Sequence, residues 1–124
     1  MNIIDLKKDI YQKLQSVCND LSFISKTNIY NTQVSTKFNY DKPFIVYLLE
    51  GTDSVYTMKE YVTSHYEIKI NFHSKKQTHL DKFYNKMLEK FISNENLYRL
   101  QTSTEFYNPD IEMHQLTIIY TSLP

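Results

Sequence analysis

The side chains that could do chemistry in this chain are few and scattered. Four histidines, His65, His73, His79 and His114, and one cysteine, Cys18, are the soft-metal ligands of a 124-residue sequence. His65 and His73 fall on the same side of one alternating stretch. Eight residues of extended chain set them roughly 26 Å apart, outside the reach of a shared metal ion. His79 opens a helical pattern and His114 lies in the last extended segment, so no HxH or HxxxH pair seeds a site. The expectation is surface or structurally satisfied histidines, with no metal. The lone Cys18 excludes an internal disulfide and a Cys-based zinc site, and its place on an apolar helical stripe reads as a small buried hydrophobe.

Nucleophilic catalysis of the Ser/His/Asp kind calls for a serine on a strained turn, and no GxSxG or related elbow is present. A phosphate-cradling loop needs several glycines, and this chain has one, Gly51. Glu50 and Asp53 flank that glycine, and Asp110 and Glu112 flank Ile111, but both pairs fall in predicted loops where solvated carboxylates are ordinary. No catalytic residue and no cofactor are therefore expected. An enzyme whose site is assembled from distant residues stays open as an alternative.

Fourteen basic residues balance fourteen acidic ones, so the basic excess of a free nucleic-acid binder is missing. The N-terminus lacks a basic n-region followed by an apolar stretch, and no run approaches the roughly 20 apolar residues of a membrane span. The expectation is a protein made in the cytoplasm, with no membrane partner. Hydrophobic residues at 41% and charged ones at 23% are ordinary globular values, and the length suits one domain spanning 1–124. Eleven Tyr and seven Phe beside no Trp are not ordinary. Tyr suits surfaces that are covered only part of the time. A genome rich in A and T would produce the same Asn, Lys, Ile and Tyr bias.

The elements that would position these groups follow from periodicity. Ile3, Leu6, Ile10, Leu14, Val17 and Leu21 recur at helical spacing, which predicts a first helix of four to five turns. Residues 22–42 read mostly as a polar connector, with Ile29 and Tyr30 a candidate short strand. Pro43 opens the apolar run Phe44–Leu49, a strand covered on both faces. Residues 50–62 read as a loop or the tip of a long hairpin. From Ser64 to His73, Tyr66, Ile68, Ile70 and Phe72 alternate with polar residues, giving a strand with one wet face. Thr78, with Asp81 three residues on, is the expected N-cap of a second helix carrying Leu80, Phe83, Tyr84, Met87, Leu88 and Phe91, ended by Asn94. Leu97–Tyr107 and Glu112–Ser122 read as a hairpin about Asn108-Pro109-Asp110. The predicted fold is α+β in two layers: an antiparallel sheet of about four strands with two helices on one face, in the order α-β-β-α-β-β.

Two features ask for a functional reading. Val55, Tyr56, Met58, Tyr61 and Val62 make the 50–62 segment too apolar for an idle connector, which marks a candidate contact surface unless the segment folds back on its own sheet. Thr117–Thr121 is strongly β-prone, with Ile119 on the face opposite Leu116, Ile118 and Tyr120. At a sheet edge this strand would invite another subunit, and in the sheet interior Ile119 would want cover.

In size and element order the chain resembles the tail terminator, or tail completion, neck proteins of tailed bacteriophages. The features that carry the likeness are the helix Ile3–Leu21, the strand Pro43–Leu49 after a polar connector, the 50–62 loop, the strand Ser64–His73, the helix Thr78–Ser93 and the closing hairpin. The resemblance covers the whole chain and includes no diagnostic motif. It implies a structural virion protein, assembled in the host cytoplasm, whose homohexameric ring caps the tail tube and joins it to the head. The implied partners are its own copies, the tail tube protein and the head-connector protein, with DNA only passing through the lumen; the zero net charge departs mildly from what a DNA-lined lumen favours. The alternative is a cytoplasmic protein-interaction or regulatory module of the same two-layer fold.

Overall fold

The computed structural model describes residues 3–32, 42–51, 55–56, 61–62, 66–92 and 98–122, with only the backbone of 3, 51, 55–56, 61–62 and 92. Helix α1 runs Ile3–Asp20. Its stripe is the one its spacing predicts: Leu6, Ile10, Leu14 and Val17 are buried, as is Cys18 beside them. Each such fully buried aliphatic stabilises the fold by about 1.5–3 kcal/mol. The helix ends where the Leu21 amide turns back to the Cys18 carbonyl at 3.2 Å. Leu21 and Ile24 then continue the buried set past the last turn.

Strand β1 is Ile29–Asn31, β2 is Phe44–Gly51, and the short β3 and β4 are Val55–Tyr56 and Tyr61–Val62. They are followed by β5 (Tyr66–Ser74), helix α2 (Gln77–Ile92), β6 (Tyr98–Asn108) and β7 (Met113–Ser122). The main sheet has five strands in the order β1-β2-β5-β7-β6. The expected α+β sheet of about four strands is matched in outline, but the element order differs from α-β-β-α-β-β and the sheet is not purely antiparallel. The candidate strand at Ile29 is real, and it pairs parallel to β2 through Ile29–Ile45, Tyr30–Val46 and Asn31–Tyr47, which makes the sheet mixed. Three residues carry too little pattern to announce a strand, and the crossover that sets its direction is a property of the whole chain.

Both helices lie on one face of the sheet. That face presents Ile45, Tyr47, Ile68, Ile70, Phe72, Leu116, Ile118 and Tyr120 to Leu80, Phe83, Met87 and Phe91 of α2 and to the α1 stripe. Phe72 and Phe83 stack with centroids 4.3 Å apart. Lys86 and Lys90 of α2 reach Asp20 at 3.8 and 3.2 Å, half-exposed pairs of small energetic weight. α2 begins at Gln77, one residue before the expected cap Thr78. Ser74 supplies the local turn instead, its hydroxyl accepting the Lys76 amide at 3.2 Å.

The opposite face is open and mostly polar, with one small apolar cluster of Phe44, Val46 and Met113 against Tyr30 and Ile111. The expected wet face of β5 is correspondingly only half wet, since His73 is buried in this cluster, stacked on Phe44 at 4.3 Å.

The 50–62 segment is not a plain loop. β2 and β5 pair from Phe44–His73 out to Gly51–Tyr66, and Val55–Val62 and Tyr56–Tyr61 carry the same register onward without a slip. β3 and β4 pair as a separate two-stranded sheet in the register of the β2–β5 hairpin. β7 stops alongside at Ser122, opposite Tyr66.

Candidate protein-interaction surface

Among the elements whose side chains are described, β6 is the most exposed. Its first residues are anchored. Tyr98 is buried, meets Phe91 edge-on at 5.1 Å and Tyr120 at 6.4 Å, and donates its phenol hydrogen bond to Asp9 of α1. Leu100 packs on the same core. A bulge then falls at Gln101, where the pairing jumps from Leu100–Tyr120 to Thr102–Ile119. Beyond it, residues 101–107 are exposed on both faces. Phe106 and Tyr107 retain 45% and 51% of their surface, and as neighbours in a strand they flank it on opposite faces. Tyr107 meets His114 edge-on at 5.2 Å, and Glu105 accepts a hydrogen bond from Gln77 at 3.3 Å.

β6 is also the sheet's last strand, so one row of its backbone N–H and C=O groups faces outward. Natural edges are blunted by Lys, Pro, shortness or bulges. The stretch after the bulge, Thr102–Asn108, carries neither Lys nor Pro and one charge, Glu105. The other edge strand, β1, is three residues long.

The sequence-predicted contact residues fall in two places. Val55 and Tyr56 lie in β3, and Tyr61 and Val62 in β4; Met58 is outside the described residues. Ile119 is in β7, which is interior, flanked by β5 and β6, so the closing strand is not an edge. Ile119 sits half-buried on the open face between Lys69 and Thr102. Beside it Thr117 donates to Asn71 at 2.7 Å, and Gln115 donates to Asn71 and Thr117, each at 3.2 Å. Sequence reasoning missed Phe106 and Tyr107. The signal was present: Gln101-Thr-Ser-Thr-Glu105 has no apolar residue on either face, which is how an unburied edge strand reads.

Among the described residues, the chemistry-bearing side chains do not converge. His65 is outside the described residues. His79 takes a hydrogen bond at 2.7 Å between its Nδ1 and Ser74 Oγ, a contact the sequence did not flag. It is a poor nucleophile–base pair. Ser74 is 1% exposed and its oxygen already holds the Lys76 amide. The ring stacks on Phe23 at 3.8 Å, and burial followed by Lys76 and Lys82 lowers its pKa, with no carboxylate contributing to the shift. Burial drives the Cys18 thiol up to about 12, so it is inert. His73 is pushed down to about 4 by burial, which Gln115 and the Phe44 backbone only partly oppose; its Nδ1 has no hydrogen-bond partner. A cleft of about 390 Å³ is lined by the hydroxyls of Ser22, Ser25 and Thr27, by Asn28 and Lys42, and by the apolar Phe23, Ile24 and Pro43. Among the described residues no three His, Cys, Asp or Glu side chains cluster as a metal site, and no helix is long and apolar enough to cross a membrane. No family model matches the chain, and no curated protein matches it.

Proposed function

We propose that this chain is a structural virion subunit of the tail terminator or tail completion type, whose copies close into a homohexameric ring that caps the tail tube and meets the head connector. The observation that carries the reading is β6: an eleven-residue edge strand without Lys or Pro, bearing Phe106 and Tyr107 in the open. The bulge at Gln101 blunts only the start of this edge; a lone soluble domain would be expected to blunt Thr102–Asn108 as well, and an assembling one uses it. Two helices confined to one side of the sheet, with a long β2–β5 hairpin before α2 and a closing hairpin after it, fit such a subunit. Exposed aromatics are what protein interfaces favour. The net charge of zero departs mildly from what a DNA-lined lumen favours, so the reading rests on the edge strand and not on charge.

The test is assembly. Purified protein taken through a concentration series in native mass spectrometry and negative-stain microscopy is expected to give six-membered rings, and to cap isolated tail tubes at one end. Phe106→Ser with Tyr107→Ser is expected to abolish rings while leaving the unfolding midpoint close to that of the parent, since both side chains are largely exposed. A protein that stays monomeric at high concentration and ignores tail tubes would overturn the proposal.

A further inference from the structure

Among the described residues the sheet has two open edges, and they match. β1 covers only Ile45–Tyr47 of β2. On that outer side the Ile45 amide goes to the Asn28 carbonyl and the Tyr47 carbonyl accepts the Thr32 amide, each at 2.9 Å. Backbone groups alternate sides along a strand, so Leu49 and Gly51 point their N–H and C=O the same way. Among the described residues, none pairs with β2 there. The second open edge is β6, at the far side of the sheet. Three successive antiparallel pairings, β2–β5, β5–β7 and β7–β6, make β6 run opposite to β2.

We propose that subunits join head to tail by pairing these edges: the β6 edge of one copy hydrogen-bonds antiparallel to the outer edge of β2, over Leu48–Gly51, in the next. The proposal rests on the ring reading and names its contact. Two copies in the same orientation set side by side bring exactly opposed strand directions together, which is the stronger pairing. The contact is heterologous, one edge meeting a different edge, so repeating it builds a ring or a filament, not a closed pair. Side chains agree. The open face carries Leu48 and Glu50 on β2 and Thr102, Thr104 and Phe106 on β6, so pairing Leu48–Gly51 with the Thr104–Asn108 end seats Phe106 close to Leu48 and Glu50. β1's brevity then has a use, since a longer β1 would occupy the edge the neighbour needs.

Disulfide trapping in the full chain tests this. Glu50→Cys is combined with Thr104→Cys or with Phe106→Cys; both strands' side chains are exposed and share a face, and the native Cys18 is buried. Oxidation at assembling concentrations is expected to give a covalent ladder that ends at six chains for at least one pair. Thr104→Lys, placing a charge mid-edge, is expected to raise the concentration for half-assembly at least tenfold with an unchanged unfolding midpoint. Rings that form normally yet trap with neither pair would overturn the edge pairing and leave the ring reading standing. Trapping that stops at two chains, including by Thr104→Cys alone, would overturn it in favour of a two-fold β6–β6 contact. A parent protein that is monomeric throughout would sink the ring reading and this contact with it.

Discussion

His73 gives a quantitative test of how the open face is built. The ring is 7% exposed, lies flat on Phe44, and pairs across the ladder with Phe44 and Gln115, neither of which titrates. Burial lowers its pKa from 6.5 to about 4. The neutral ring is therefore the form the fold accepts, and the unfolded chain binds the proton more tightly than the folded one. Stability is then complete above about pH 6.5, falls as pH drops below that value, and the loss levels off below about pH 4. For this single group the linkage amounts to about 1 kcal/mol at pH 5.5 and about 3 kcal/mol near pH 4. Carboxylates titrate in the lower part of the window, so the comparison is between the parent and His73→Phe, urea-unfolded in parallel at about pH 7.5, 5.5 and 4.5. Phe extends the stack on Phe44 and removes an unpartnered Nδ1, so the variant is expected to equal or exceed the parent at neutral pH. The gap between the two should widen by the amounts above as pH falls. A gap that is constant with pH would mean that water reaches the ring, and that Phe44, Val46 and Met113 do not form a dry cluster.

Two further outcomes follow from named contacts. Tyr98 and Tyr120 are both buried and 6.4 Å apart, yet only the Tyr98 hydroxyl has a partner, Asp9. Tyr98→Phe is expected to cost about 1–2 kcal/mol in urea unfolding, whereas Tyr120→Phe should be neutral or stabilising, because its hydroxyl is buried without a partner; equal losses would contradict that assignment. Thr32 holds φ 74° at the exit from β1, a left-handed conformation costly for a β-branched residue. Thr32→Asn is expected to stabilise the fold by about 0.5–1 kcal/mol, read as a raised thermal midpoint, and a fall would mean that its side chain is needed there.

What the sequence made legible was whatever one element could state by itself. The α1 stripe, the alternation Tyr66–Ile68–Ile70–Phe72 and the α2 stripe each carry their own period, and each forms as its spacing dictates. What it hid was relational. The apolar character of residues 50–62 is visible, but that Val55 and Tyr56 continue the β2–β5 register is a fact about two strands at once. The sequence left Ile119 open as an edge or an interior residue, and it is interior because β6, earlier in sequence, takes the outside place. The polar run 101–105 could have been read as a loop; it is a strand because β7 supplies its ladder on one side.

The same relation explains why the surface is where it is. A bulge at Gln101 separates two jobs on one strand: Tyr98 and Leu100 lock it into the core, and everything after Thr102 is free of the core. Without the bulge, the alternation set by Leu100 would place Thr102, Thr104 and Phe106 on the helix side, and Phe106 would lie towards α2. The one-residue insertion turns Phe106 to the open face and leaves Ser103 and Glu105 towards the helices, where Glu105 finds Gln77. An aromatic is thereby kept out of a core that had room for it in the sequence pattern. Folding alone gives no reason to spend Phe106 that way, and the proposed contact with a neighbouring copy would.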